Sequence, residues 1–301
     1  MSEAVGTKPG LSVVIPCHDE EGAIAETVAK VRDEVARLGR ASEIIIVNDG
    51  SKDGSAKILD SLAAADSSLR VLHNAENRGY GFSLKRGIDA ATYDTVLITD
   101  ADGTYPHERI PDLLAALEKA EMVVGARIGQ NVNIPPARRP AKWALLQYAR
   151  WMAKADIKDV NSGMRAMRTA NVRRFWNLLP DGFSFTTTIT LAHHINRLPV
   201  VYVPIDYHRR VGTSGIHPIR DTINFFMLVL RTTMFFRPLQ VFGGLAFAFL
   251  GLAVAQAVFT KVVFKDIHDI STIALFMLGI QFLGLGLLGD LINAHRRNGS
   301  G

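Results

Sequence analysis

Cysteine is nearly absent: Cys17 is the single one among 301 residues. One thiol cannot close an internal disulfide, which excludes a disulfide-stapled scaffold and fits a reducing compartment. No run of basic residues interleaved with aromatics occurs, so the formal charge of +5 suits anionic lipid or phosphate and argues against nucleic acid. The first glycine-poor turn, Pro16-Cys-His-Asp-Glu-Glu-Gly22, lacks the Gly-x-Gly-x-x-Gly of a dinucleotide-binding domain. Gly79 and Gly81 come after a later strand, and the next glycine is Gly87, so the spacing of that fingerprint fails. A Walker P-loop is missing as well. The polar stretch Met1–Gly10 has no apolar core, which predicts no signal peptide. Charge is missing altogether from Pro238–Thr260 and from Ile270–Gly289.

Those two uncharged stretches are each long enough to cross a hydrocarbon layer of about 30 Å. Helices of a soluble protein generally need a polar face, and these have almost none, which favours membrane spans over the rival reading of two helices buried in a large soluble core. Arg231 and Arg237 precede the first, and His295-Arg296-Arg297 follow the second. That bias predicts cytoplasmic outer flanks, with Lys261 and Lys265 in the link pulling the other way. Pro218–Arg237 places Ile219, Ile223, Phe226, Leu230 and Met234 on one face, the pattern of an interfacial helix. The expected organisation is a cytosolic domain over 1–215, an amphipathic juxtamembrane helix over 216–237, and a two-helix transmembrane hairpin with a short tail over 238–301. The glycines at 243, 244, 279, 284, 286 and 289 would permit close helix packing, within a hairpin or between copies.

The first half alternates strand and helix patterns. Leu11–Ile15, Glu43–Val47, Arg70–His73, Thr95–Thr99 and Glu121–Val124 are short apolar, β-branched runs. Between them lie helical stripes over Glu21–Leu38, Ser51–Ala64 (with Ser51 or Asp53 as N-cap), Tyr80–Ala91 and about Pro106–Ala120. Such alternation predicts an α/β domain, a Rossmann-like, mostly parallel sheet covered on both faces. Ligands of these sheets sit beyond the carboxyl ends of the strands. Pro16–Glu20, Asn48–Ser51, His73–Gly81 and Asp100–Thr104 converge there.

The strand Thr95–Thr99 runs into Asp100-Ala-Asp102. Two carboxylates at that spacing can grip one hard cation, Mg²⁺ or Mn²⁺, whose remaining ligands are usually water and substrate phosphates. Acidic turns in place of glycine cradles require phosphates to be bridged by metal. Chemistry on a diphosphate-bearing substrate beside a membrane is the expectation. His193-His194, in an apolar helical stretch, read as packing or surface and not as metal ligands. Trp143, Trp151 and Trp176 suit either headgroup anchoring or core packing. Gly129–Trp143, rich in proline and arginine, reads as a loop over the donor site.

An ordered set of motifs resembles the family 2 glycosyltransferases of the GT-A fold, with a closer likeness to dolichol-phosphate mannose synthases and bacterial polyprenyl-phosphate glycosyltransferases. The set is Val13-Val-Ile-Pro16 with Glu20, Ile46-Val-Asn-Asp49-Gly-Ser51, Asp100-Ala-Asp102-Gly-Thr-Tyr-Pro106, Gly125-Ala-Arg127, Asp159-Val-Asn-Ser162-Gly-Met-Arg165, and Val203-Pro-Ile-Asp206 with Arg209-Arg-Val-Gly212-Thr-Ser214. The resemblance implies inverting transfer of a hexose from a nucleotide-sugar of the UDP-glucose or GDP-mannose type to polyprenyl phosphate. It further implies a homo-oligomer in the membrane. Pro16, His18, Glu20 and Asp49 would line the nucleotide pocket; Asp102, with Asp100, would hold the metal. Arg127, Arg138 or Arg139, and Arg209 would meet the acceptor phosphate, with Ser162 and Arg165 in the same region. Asp159 would lie near the acceptor, orienting an arginine or helping the metal. Thr104 stands where some synthases carry a metal-assisting glutamine. The competing expectations are a transferase of this fold acting on a glycolipid or polysaccharide hydroxyl, and a non-catalytic membrane adaptor that keeps a nucleotide pocket.

Overall fold

The computed structural model describes residues 8–128, 139–182, 184–208, 233–264 and 269–298. The chain forms two compact units, residues 1–215 and 216–301.

The first unit is built on a seven-stranded sheet. Its elements in chain order are β1 (Lys8–Cys17), α1 (Ile24–Arg37), β2 (Ser42–Asp49), α2 (Ser55–Ala65), β3 (Leu69–Asn74), α3 (Tyr80–Asp89), β4 (Tyr93–Ile98), α4 (Ile110–Leu117), β5 (Met122–Ala126), α5 (Arg139–Ala153), β6 (Arg165–Arg168), α6 (Thr169–Arg174), α7 (Phe185–Ile195) and β7 (Val200–Pro204). The strand order is β3-β2-β1-β4-β6-β5-β7. All neighbours pair in parallel except β6, which is antiparallel to both β4 and β5. Alternate side chains of the central strands face opposite layers. Val13, Ile15, Ile44, Ile46 and Leu97 join the core formed with α1 and α4. On the other face α3 lies so close that a Cβ on Gly87 would fall 2.4 Å from Val14 Cγ1.

Helix α2 corrects the expected start at Ser51. It begins at Ser55 after Gly54, with no side-chain cap, because Asp53 accepts from both Glu21 N–H (3.0 Å) and Ser55 N–H (2.9 Å). The loop expected over Gly129–Trp143 is also corrected at its end, since 139–143 are helical in α5; residues 129–138 lie outside the described ones.

In the second unit, α8 (Pro238–Phe264) and α9 (Asp269–Asn298) pack against each other. Both are long and apolar enough to cross a membrane, over Pro238–Val263 and Ile270–Ala294. Only 17% and 11% of their most apolar windows are buried, so neither is the core helix of a soluble fold. Gly279, Gly286 and Gly289 of α9 sit against Leu250, Leu239 and Pro238, whereas Gly243, Gly244, Gly251 and Gly284 face open space. The short helical turn 233–236 is tied to α9 by Asn293 Nδ2, which donates to the Phe235 carbonyl at 2.6 Å. The interfacial helix expected upstream of 233 falls outside the described residues.

Candidate active site

The carboxyl ends of β1, β2 and β4 open on a cavity of about 390 Å³. Pro16, His18, Glu20, Asp49, Asp100 and Asp102 all line it. Parallel strands bring their outgoing turns to one edge, which is why residues far apart in sequence meet there.

Asp49 shapes the wall from within. Its Oδ1 accepts from Asn74 Nδ2 (2.6 Å) and Arg78 N–H (2.9 Å), and its Oδ2 from Gly79 N–H (2.8 Å). The carboxylate thereby pins the turn that opens α3, where Gly79 adopts φ 102°. His18 Nδ1 donates to the Asp49 carbonyl at 2.8 Å. Cys17 also lines the cavity, but burial pushes its thiol up to about 12, so it stays protonated and is no nucleophile.

The acidic pair follows β4. Tyr80 Oη donates to Asp100 Oδ1 at 2.8 Å. Burial, then the Asp100 charge, hold the Tyr80 phenol well above its usual range, so it remains a donor. Gly163 closes over the same carboxylate: a Cβ there would lie 2.5 Å from Asp100 Oδ1. Asp102 Oδ1 accepts from Thr104 Oγ1 at 2.6 Å and from Thr104 N–H at 3.2 Å. Thr104 thus orients the Asp102 carboxylate from two residues away. Among the described residues no three His, Cys, Asp or Glu side chains cluster as a complete metal cage. Two carboxylates on one cavity wall, all oxygen donors, fit a hard divalent ion whose shell is finished by phosphate and water.

Arg127 directly follows β5 and meets Asp159, which has no exposed surface. Arg127 Nε donates to Asp159 Oδ2 at 2.8 Å and Nη2 to Oδ1 at 2.9 Å, and the Arg127 N–H adds a 3.2 Å contact. Asn161 N–H donates to the same carboxylate at 3.1 Å. The Tyr207 ring stacks 5.2 Å from the guanidinium. Burial works against the cation, yet the Tyr105 oxygen and the Asp159 carboxylate outweigh it and move the Arg127 pKa upward.

Two expected acceptor residues are corrected. Arg165 has no exposed surface; Nε donates to Ser162 O (3.0 Å), and Nη1 to Thr186 O and Thr190 Oγ1 (both 3.0 Å). Such a guanidinium knits the 160–162 turn to α7 and cannot reach a ligand. Ser162 is equally buried, its Oγ donating to Gly125 O at 2.5 Å. Arg138 and Arg209 lie outside the described residues, as does the Arg139 side chain. His193 is buried, with Nδ1 donating to Ile189 O at 2.8 Å, and His194 pairs with Tyr202 Oη at 2.9 Å.

The sequence motifs did not single out Tyr80 or Tyr207. Tyr80 lines the cavity, as do Thr186 and Asn161, the latter inside the Asp159–Arg165 motif but with no role of its own expected there. The signal for Tyr80 was its place just after Gly79 at a helix start; Tyr207 carries no local signal.

A mostly parallel sheet with paired carboxylates after β4 and a buried arginine–carboxylate fork defines a GT-A-type transferase. The sequence profile described as Glycosyl transferase family 2 matches residues 12–175, and the chain belongs to that family. An undecaprenyl-phosphate mannosyltransferase of Micrococcus luteus is 31% identical over 215 residues, 67% of this chain and 85% of that protein. An undecaprenyl-phosphate 4-deoxy-4-formamido-L-arabinose transferase of Pseudomonas fluorescens is 30% identical over 302 residues, 94% of this chain and 84% of its own. The part of this chain left unmatched is shorter than either apolar helix, so the likeness reaches both. Glucosyl-3-phosphoglycerate synthase of Mycobacterium tuberculosis, solved with Mn²⁺, uridine diphosphate and phosphoglyceric acid, shares the fold. Its TM-score is 0.57 at 21% identity, over 75% of this chain and 78% of that one.

Proposed function

We propose that this glycosyltransferase moves a hexose from a nucleoside diphosphate sugar to polyprenyl phosphate at a membrane surface, inverting the anomeric carbon. The observation that carries the reading is the Asp159–Arg127 fork. A hydroxyl acceptor needs a base, and Asp159, the carboxylate that the resemblance sets near the acceptor, is committed to holding a guanidinium. A phosphate monoester, with a second pKa of about 6, is largely dianionic at neutral pH and hardly needs deprotonation. It needs a positioned cation, which a preorganised arginine supplies.

Asp100 and Asp102 would hold Mg²⁺ or Mn²⁺. The ion would act as a Lewis acid, drawing off the charge that develops on the departing nucleoside diphosphate. Tyr80 and Thr104 fix the two carboxylates, and Asp49 keeps the α3 turn in place as the wall of the nucleotide pocket. Arg127 would orient the lipid phosphate for in-line attack on the sugar carbon, with Arg209 and Arg138 or Arg139 as further contacts.

The names of the relatives support the polyprenyl phosphate, and the uridine diphosphate and Mn²⁺ bound to the structural neighbour support the donor class and ion. UDP-glucose and GDP-mannose both fit this reading, with UDP preferred. The two apolar helices support a membrane protein with two spans. We extend the reading to a cytoplasmic catalytic unit and a homo-oligomer. Radiolabelled nucleotide-sugars, undecaprenyl phosphate and divalent ion are the test. An acid-labile, charged lipid product that depends on the ion is expected. Transfer only to a neutral glycolipid, or turnover indifferent to chelator, would overturn the reading.

A further inference from the structure

Tyr207 touches both halves of the site. It lies three residues beyond β7, on a short segment anchored at each end by a backbone hydrogen bond. Ile205 N–H donates to Ala126 O at 2.8 Å, directly before Arg127, and His208 N–H donates to Thr104 O at 2.9 Å, in the loop that carries Asp102. The segment therefore runs from the end of β5 to the turn after β4, two strands that β6 separates in the sheet. Tyr207 falls between the two anchors.

Its two chemical parts meet different partners. The Arg127 guanidinium lies over the ring, 5.2 Å from its centroid. The hydroxyl lies beside Thr104, the residue that donates twice to Asp102 Oδ1. Tyr105 packs edge-on against the same ring at 5.3 Å, and its own Oη accepts Gly163 N–H at 2.7 Å, so the ring is held from a further side. Burial lifts the Tyr207 phenol above its usual range, with the Thr104 contact opposing and the Asp102 charge reinforcing; it stays a neutral hydroxyl.

Neutrality matters at this place. An aromatic face attracts a cation without cancelling its charge, whereas a second carboxylate would cancel it. Asp159 fixes the guanidinium within its plane, and the Tyr207 ring fixes it in the perpendicular direction. Donor diphosphate and lipid phosphate are both anions, so the spacing between the ion and Arg127 decides whether they meet in line.

We propose that Tyr207 is a positioning residue that sets this spacing, its hydroxyl steadying Thr104 and Asp102 on the ion side and its ring steadying Arg127 on the acceptor side. The task given to Arg127 rests on the polyprenyl-phosphate reading.

Two variants of the full chain in detergent dissect the side chain. Tyr207→Phe keeps the ring and drops the hydroxyl; Tyr207→Leu drops both, with Tyr207→Met in its place should the leucine form melt too low to assay. In Tyr207→Phe, Mn²⁺-dependent affinity for uridine diphosphate, read by titration calorimetry, should fall about threefold, the scale of one hydrogen bond. Its KM for undecaprenyl phosphate should hold. Tyr207→Leu should lose the same affinity and also raise that KM about tenfold, the scale of a cation–π contact. A merely structural role would lower the melting temperature and the active fraction with both constants at parental values, and that result overturns the proposal. So does an acceptor KM that rises as far in Tyr207→Phe as in Tyr207→Leu, since the ring would then have no part of its own. A parent protein that transfers nothing to undecaprenyl phosphate removes the functional reading and the Arg127 half of the proposal with it. A parent that does transfer, beside a leucine variant of parental KM, overturns the proposal and leaves that reading standing.

Discussion

Asp159 grips Arg127 through two parallel hydrogen bonds, 2.8 and 2.9 Å, on a carboxylate that water does not reach. Removing one partner strands the other as a buried charge, which costs about 3–5 kcal/mol. Asp159→Ala and Arg127→Met should each destabilise the protein, and the double variant should lose clearly less than their sum. Denaturant unfolding of the three variants measures this; strict additivity would contradict a coupled pair. Transfer should fall at least about 100-fold in Asp159→Ala, as expected when a preorganised charge is mispositioned.

Asp102→Ala should abolish ion-dependent nucleotide binding while leaving the melting temperature nearly unchanged. Titration calorimetry with Mn²⁺ and uridine diphosphate distinguishes this from unfolding. Tyr80→Phe deletes one hydroxyl and its hydrogen bond to Asp100, and should weaken Mn²⁺ about tenfold, the usual scale for a group that orients a metal ligand. Affinity equal to the parent protein would show that Asp100 does not depend on Tyr80.

Gly163→Ala puts a methyl group where Asp100 Oδ1 now lies, 2.5 Å from the new Cβ. The carboxylate must swing away, so ion affinity should fall with secondary structure intact. Circular dichroism beside Mn²⁺ titration separates the two.

Arg165→Met should act on stability and not on acceptor recognition. The substitution takes the guanidinium donors from the buried Ser162 carbonyl, at about 1–3 kcal/mol, while the Thr186 carbonyl keeps Thr190 Oγ1 at 2.7 Å. Transfer per folded molecule, and the acceptor KM, should stay near parental values. A selective rise in that KM would restore Arg165 to the acceptor site.

His107 and His193 are both held down to about 4 by burial. Near neutral pH both states of the protein keep these rings uncharged. As pH falls below about 6.5 the unfolded chain takes up protons that the folded one refuses, so stability drops until pH nears 4. Each shift corresponds to at most about 3 kcal/mol. Urea unfolding of the full chain in detergent between pH 8 and 4.5 should show a fall that His193→Gln reduces; a flat profile would refute the buried neutral rings.

The apolar runs of β1 to β5 and the stripes of α1 to α4 were readable because periodicity reports which face a residue buries. The remaining strands were not. β6, Arg-Ala-Met-Arg, is four residues long with a charge at each end. Its strand geometry comes from pairing antiparallel between β4 and β5. Nor did the sequence tell its arginines apart. Arg127 and Arg165 look alike in the sequence, yet one follows a strand and pairs with a carboxylate while the other is buried among carbonyls.

By itself, then, the sequence determined the alternating α/β plan, the acidic pair after β4, and two stretches with no charge to keep them in water. These follow from spacing and composition, which act locally along the chain. Only the tertiary structure decided that Asp159 serves Arg127, that Tyr80 and Gly163 confine Asp100, and that Arg165 is structural. Each of those outcomes depends on which side chain desolvates against which partner, and for Tyr80–Asp100, Arg127–Asp159 and Gly163–Asp100 chain folding joins residues 20 to 63 apart.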